Sequence, residues 1–222
     1  MDNLKKHIEQ FMKDRNPIDR YASFDYCFNY FHSFKDKKDI VNKEHLQLSC
    51  LHLWFYLASR WMYRWSSFLL RKSVKIYENL LKEITSFDKK IWEIDIENYD
   101  NHDDRILVLN CYHTIKKTLL NKESHITLVT KIMMGIFGCI PAYDTYFCKA
   151  FKELSWWKCK FTVVNEKSLL CISEFYKQNK QIIDEYAQKT KTLDMSSGKD
   201  TNISYTKAKI IDMIWFIYWL HL

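Results

Sequence analysis

Residues 128–147 read Leu-Val-Thr-Lys-Ile-Met-Met-Gly-Ile-Phe-Gly-Cys-Ile-Pro-Ala-Tyr-Asp-Thr-Tyr-Phe and hold three of the five glycines and prolines in the chain. Only 3 of 222 residues are Gly and 2 are Pro, whereas average usage predicts roughly 16 and 11. Sandwiches, barrels and doubly wound sheets need many tight turns, which Gly and Pro supply. Because 47% of the residues are hydrophobic, a disordered chain is excluded. The sequence therefore predicts an all-α fold, a compact helical bundle with long buried helices and a single domain over residues 1–222.

The hydrophobic periodicity places the helices of this bundle along the chain. Gly138 and Pro141 oppose helix continuation, so one helix should end before them and another should begin near Asp144. A flexible loop is expected at about 194–206, where Gly198 lies among Ser, Thr and Asn residues. The expected helices cover residues 20–34, 44–82 (one long helix or two abutting ones), 104–120, 124–137, 165–190 and 205–222.

Charge and cysteine content limit the partners and the compartment. The formal net charge is +7, which favours an anionic partner such as DNA, although a Lys-rich surface alone would give the same surplus. Seven cysteines without a C-x-x-C pair argue against a metal site, and we expect no cofactor. Buried free thiols, the lack of a secretory signal and the lack of a long apolar run together predict a cytoplasmic protein without a membrane partner.

A polar stripe would run along residues 44–82 if they formed a continuous helix. Arg engages phosphate and Tyr stacks on bases, so Arg60 and Arg64 are candidate phosphate ligands, and Tyr56 and Tyr63 are candidate base ligands. The alternative is the ordinary solvent face of a core helix. The members of the stripe are His52, Tyr56, Arg60, Tyr63, Arg64, Ser67 and Arg71.

Two further clusters contain aromatic side chains. Trp156 and Trp157 adjoin Lys residues, an arrangement that suits single-stranded or flipped nucleotides but is equally compatible with core packing. Asp144 stands alone among apolar and aromatic residues after the Gly138–Pro141 turn. It is either an N-cap that accepts hydrogen bonds from backbone amides or a catalytic acid.

The order of helix, Gly, short Pro-containing turn, Asp-Thr and aromatic residue at 128–147 resembles the helix-hairpin-helix DNA glycosylase superfamily. The tail Lys209-Ile-Ile-Asp212-Met-Ile-Trp215 is similar to the closing Lys/Arg-x-x-Asp-x-x-Trp helix of some members. The resemblance implies that Asp144 assists cleavage of the base–sugar bond. Residues 121–127 depart from the family because its hairpin is Gly-rich and these positions contain no Gly.

Lys131 lies near the family's lysine nucleophile but at least one helical position out of phase, so the resemblance implies a monofunctional, Asp-assisted route. Tyr143 and Tyr146 would then flank an extruded base, and Lys131 would join the arginines at phosphates. The sequence leaves two function classes open. One is a DNA-glycosylase-like hydrolase acting in repair or in defence against foreign DNA, and the other is a non-catalytic helical interaction or regulatory protein.

Overall fold

A computed structural model of the chain describes residues 2–13, 15–119, 125–154 and 159–220. The all-α prediction is confirmed, because short 3-10 turns and one small hairpin are the only other regular structure in these residues. The α-helices are α1 (Asp2–Lys13), α2 (Ser23–Ser33), α3 (Leu46–Ser59), α4 (Tyr77–Thr85), α5 (His102–Leu119), α6 (Ile126–Phe137), α7 (Thr145–Leu154), α8 (Glu166–Gln178), α9 (Lys180–Lys189) and α10 (Lys207–Leu220).

Helix α6 forms the centre of the core. Every residue from Leu128 to Phe137 is buried, and α2, α3 and α5 pack around the helix. As predicted, α6 ends at a glycine, since Gly138 has a φ of 68°, a backbone conformation that glycine adopts without steric cost. Helix α10 closes the other side of the bundle by packing against α1, α7 and α9.

The prediction of a flexible loop at 194–206 needs correction. Most of this segment belongs to an antiparallel hairpin that joins β1 (Lys191–Leu193) to β2 (Asp200–Ser204). Side chains of α2 hold β1 in place. The carboxylate of Asp25 accepts a hydrogen bond from the amide of Leu193 at 3.0 Å, and the amide of Asn29 donates to the carbonyl of Leu193 at 2.9 Å. These bonds link residues far apart in the sequence, so local composition does not predict them.

The prediction of one long helix, or two abutting helices, over residues 44–82 is wrong. Helix α3 ends at Ser59 and α4 begins at Tyr77, and two 3-10 turns, Phe68–Arg71 and Val74–Ile76, lie between them. The predicted polar stripe depended on one continuous helix, so it does not extend beyond Ser59.

A Schellman motif without glycine ends α3. The amide of Trp61 donates to the carbonyl of Ala58 at 3.1 Å, and the amide of Met62 donates to the carbonyl of Leu57 at 3.0 Å. This motif requires a left-handed residue, usually Gly, and here Trp61 takes that conformation with a φ of 63°. Because a bulky residue occupies the position, the sequence contains no stop signal.

All seven cysteines are free, and five of them are buried, as expected for structural thiols. Among the described residues, no helix combines the length and the apolar character needed to span a bilayer.

Candidate functional site: a basic cleft

A cleft of about 830 Å³ opens between the end of α3, the first half of α6 and the start of α7. This volume falls in the range of small-molecule and nucleotide sites. Its lining is unusual in charge, because among the residues that the structure describes five Lys or Arg residues are accompanied by a single carboxylate. The lining comprises the basic Arg20, Arg60, Arg64, Lys131 and Lys149, the acidic Asp144, the aromatic Tyr21, Trp61, Phe68 and Tyr146, and His125, Ser59, Ser66, Ser67, Thr127, Thr145, Met62, Leu69, Ile126 and Leu128.

Asp144 both caps α7 and lines the cleft. Its Oδ1 atom accepts hydrogen bonds from the amides of Tyr146 at 3.1 Å and Phe147 at 3.0 Å, which satisfies two amides that the first turn of a helix leaves unpaired. Burial raises the pKa of the Asp144 carboxyl, and the charge of Lys131 opposes this shift. The N-cap interpretation is confirmed, and it coexists with a position in the wall of a basic cleft.

Lys131 is buried in the lining of the cleft, five residues into the central helix. Its Nζ donates to the backbone carbonyl of Arg60 at 3.0 Å, so α6 is joined directly to the end of α3. Burial and the charge of Arg60 lower the pKa of Lys131 to about 8, although Asp144 and Asp212 act in the opposite direction. An ammonium group with this pKa changes its charge close to neutral pH.

The C-terminal helix supports the cleft from below through Asp212. Its carboxylate lies 3.1 Å from the Nζ of Lys209 and 3.7 Å from the Nη2 of Arg60. It also accepts a hydrogen bond from the amide of Ala142 at 3.1 Å. Burial acts to raise the pKa of Asp212, but these partners hold it below its ordinary value. Asp212 therefore fixes the turn that precedes Asp144 while it orients Arg60.

Trp215, three residues after Asp212, packs α10 against α7 and α8. Its ring lies 5.5 Å from that of Phe151 in α7 and 5.5 Å from that of Phe175 in α8. Helix α10 therefore contacts α7 through Trp215, and through Asp212 it holds the amide of Ala142, two residues before Asp144.

Aromatic rings and guanidinium groups alternate at the mouth of the cleft. The guanidinium of Arg20 lies 4.8 Å from the ring centroid of Tyr21 and 5.2 Å from that of Trp61. Arg60 lies 5.5 Å from the Tyr21 centroid on the inner side. The left-handed backbone of Trp61 costs ~1–3 kcal/mol, and such strain concentrates at functional sites.

Five of the residues predicted from the sequence meet in this cleft. Arg60, Arg64, Lys131, Asp144 and Tyr146 all line it. Arg64 is exposed at the rim, whereas the side chain of Arg60 is only 11% exposed and points to Asp212. Arg60 is therefore a largely enclosed cation in the cleft wall, and Arg64 is the accessible one.

The tyrosine predictions are wrong at three of four positions. Tyr56 is buried, and its ring packs against Gly135 of α6. Tyr143 is fully buried and donates to the hydroxyl of Ser168 at 3.1 Å. Tyr63 lies outside the cleft lining, with its hydroxyl 2.6 Å from that of Tyr77.

The rings of Tyr56 and Tyr143 are buried, and Tyr63 and Tyr143 bond their hydroxyls inside the protein, so none of the three offers its ring to a base in the cleft. Tyr146 alone remains available, with 46% of its surface exposed. Trp156 and Trp157 lie outside the described residues, and their predicted role is not tested.

The sequence did not identify several charged and aromatic residues of the cleft, among them Arg20, Tyr21, Trp61 and Lys149. Arg20 and Tyr21 precede α2 in a 3-10 turn, whereas the periodicity assigned them to a core-facing helix. One signal was present in the sequence, because an Arg-Trp pair occurs at 60–61 and again at 64–65.

Comparison of the chain with protein-family models, curated proteins and solved structures finds no significant match. In the part of the chain that the structure describes, no group of three or more His, Cys, Asp or Glu residues is arranged to hold a metal ion.

Proposed function

We propose that this protein binds nucleic acid through the basic cleft and hydrolyses the N-glycosidic bond of a nucleotide held there, with Asp144 assisting. The observation that carries the proposal is that the described lining of the cleft places a single carboxylate among five basic residues and four aromatic rings. A nucleotide carries both an anionic phosphate and a flat base, and this lining offers groups for each.

The proposed reaction breaks the bond between C1′ of the sugar and the nitrogen of the base. The electron pair leaves with the base, water adds to C1′, and the proton released from that water balances the charge on the departing base. Positive charge develops on the sugar as the bond breaks, so a nearby carboxylate lowers the barrier. Asp144 is partly buried, and its charge acts strongly because little water screens it.

The basic residues have separate tasks in this proposal. Arg64, at the exposed rim, contacts a phosphate. Lys131 and Arg60, deeper in the cleft, favour the anionic ligand electrostatically. Tyr146 offers the base an exposed ring on the same wall as Asp144.

The test is to incubate the protein with oligonucleotides that contain normal, alkylated, oxidised or deaminated bases. Free base is measured by mass spectrometry, and abasic sites by alkaline strand cleavage. We expect base release by the wild type and its loss in Asp144→Asn, which keeps an oxygen for the cap of α7. Asp88→Asn is the matched control, since Asp88 caps a 3-10 turn by accepting from the amide of Lys90 at 2.9 Å and does not line the cleft.

Base release that is unchanged in Asp144→Asn would refute the mechanism. A complete lack of base release together with retained binding would favour the alternative, a non-catalytic interaction protein. One feature supports that alternative independently, namely the outer face of α3, where Leu48, Leu51 and Phe55 are exposed. Exposed apolar faces of this kind commonly contact other proteins.

A further inference from the structure

One wall of the cleft is formed by a single stretch of chain, residues 59–69, that follows the end of α3. Nine of its eleven residues line the cleft, and the two exceptions are Tyr63 and Trp65. Tyr63 turns inward to Tyr77, whereas Trp65 is 95% exposed. Its sequence neighbours Arg64 and Ser66 both line the cleft, so the indole projects from the rim directly beside the site.

A Trp side chain this exposed is rare in a folded protein, because burying an aromatic ring is strongly favourable. Trp61, four residues earlier, is 64% exposed as well. The described residues contain no aromatic ring packed against Trp65, since the ring pairs of this region join Trp54 to Tyr63 and Phe68 to His125. Two indoles on one wall therefore present their rings to the solvent.

Arginines accompany both indoles, one in space and one in the sequence. Arg20 lies 5.2 Å from the ring centroid of Trp61, and Arg64 precedes Trp65 in the chain. Arg64 is exposed and forms no ion pair within the part of the chain that the structure describes. The surrounding sequence is also free of acids, since no Asp or Glu occurs between Glu44 and Glu78.

We infer that this wall binds single-stranded nucleic acid, with Trp61 and Trp65 stacking on two bases of the strand and Arg20 and Arg64 contacting the phosphates. The inference rests on the nucleic-acid ligand of the proposed function and specifies the form of that ligand. Exposed aromatic rings interleaved with cations are the general means by which proteins hold unpaired bases.

A duplex fits this wall poorly. In a duplex the faces of the bases are covered by neighbouring base pairs, so two exposed indoles find bases to stack on only where the strand is unpaired. Duplex binding relies instead on phosphate contacts and on elements that enter a groove. The wall from 59 to 69 is an irregular segment with one 3-10 turn, not a helix or ribbon that could fill a groove.

The experiment measures fluorescence anisotropy of a short dye-labelled oligonucleotide, as a single strand and annealed to its complement, at one fixed salt concentration. We expect the full-length protein to bind the single strand more tightly than the duplex. Trp65→Ala should weaken single-strand binding by about tenfold, the loss of one stacked base. Trp65→Phe should keep most of the affinity.

Leu70→Ala is the matched control, because Leu70 is an exposed apolar residue near the same wall that does not line the cleft. It should leave single-strand binding unchanged. Trp65 is almost fully exposed, so its removal does not endanger folding, and thermal unfolding of each variant verifies this.

Three results would overturn the inference: tighter binding to the duplex, single-strand affinity unchanged in Trp65→Ala, or Trp65-dependent binding to anionic phospholipid vesicles without binding to the oligonucleotide. Base release without single-strand preference would support the proposed function and refute the inference. Trp65-dependent single-strand binding without base release would support the inference and refute the proposed hydrolysis.

Discussion

The contact between Gly135 and Tyr56 offers a sharp test of how the cleft is built. A Cβ atom at Gly135 would lie 2.4 Å from Cε1 and 2.7 Å from Cδ1 of the Tyr56 ring, whereas ordinary contacts are 3.4–4 Å. The ring is fully buried and cannot turn into solvent. Gly135→Ala therefore forces α3 and α6 apart by about an ångström, and these are the two helices that Lys131 joins at the carbonyl of Arg60.

The expected magnitude follows from two opposing effects. Overpacking a close-packed core costs ~1–3 kcal/mol, while Ala in place of Gly stabilises a helix interior by ~1 kcal/mol. Because the added Cβ would lie only 2.4 Å from the ring, the overpacking cost should fall in the upper part of its range, about 2–3 kcal/mol, which leaves a net loss of about 1–2 kcal/mol in the free energy of unfolding. For a chain of this length, the loss lowers the Tm by about 2–8 °C.

A double-mutant cycle measured by thermal and denaturant unfolding identifies the cause. Tyr56→Leu removes the ring and creates space, so Gly135→Ala should be neutral or stabilising in that background. Equal destabilisation by Gly135→Ala with and without the Tyr56 ring would refute the packing argument. So would stabilisation by Gly135→Ala in the wild type.

Three further predictions concern stability. Asp144→Ala should cost ~1 kcal/mol in urea unfolding through loss of the N-cap, and Asp144→Asn close to nothing; equal losses would contradict the capping role. Because the pKa of Lys131 is lowered from 10.5 to about 8, the unfolded chain binds more protons between these values. Between pH 8 and pH 10.5 the free energy of unfolding of the wild type should therefore rise by about 3 kcal/mol relative to that of Lys131→Met. If the free energies of unfolding of the two proteins change in parallel with pH across this interval, the pKa of Lys131 is not lowered. Gly138→Ala should destabilise the protein more than Gly198→Ala. Both glycines have a φ of 68°, but a Cβ at Gly138 would also lie 2.7 Å from the Phe28 ring. Equal falls in Tm for the two variants would contradict this.

The all-α class followed from the sequence because the scarcity of Gly and Pro is a property of the whole chain. The helix end at Gly138 and the cap at Asp144 also followed, because each depends on a local residue preference. The end of α3 did not, since Trp61 adopts the left-handed conformation that the motif usually gives to Gly.

The members of the cleft were only partly predictable for a related reason. Residue type indicates what a side chain can bind, but burial depends on partners far away in the sequence. Tyr143 is tied to Ser168, and Arg60 to Asp212, and neither contact leaves a local pattern. Arg20 and Tyr21 also line the site, although they precede Asp144 by more than a hundred residues in the sequence.

Photo-cross-linking tests whether nucleic acid occupies this cleft. A single-stranded oligonucleotide with a thio-substituted pyrimidine is irradiated with the protein, and the linked peptides are identified by mass spectrometry. We predict cross-links on the cleft wall and its rim, at Trp61, Trp65 or Tyr146. Cross-links confined to Lys-rich surfaces away from the cleft, or the absence of any cross-link, would contradict the claim.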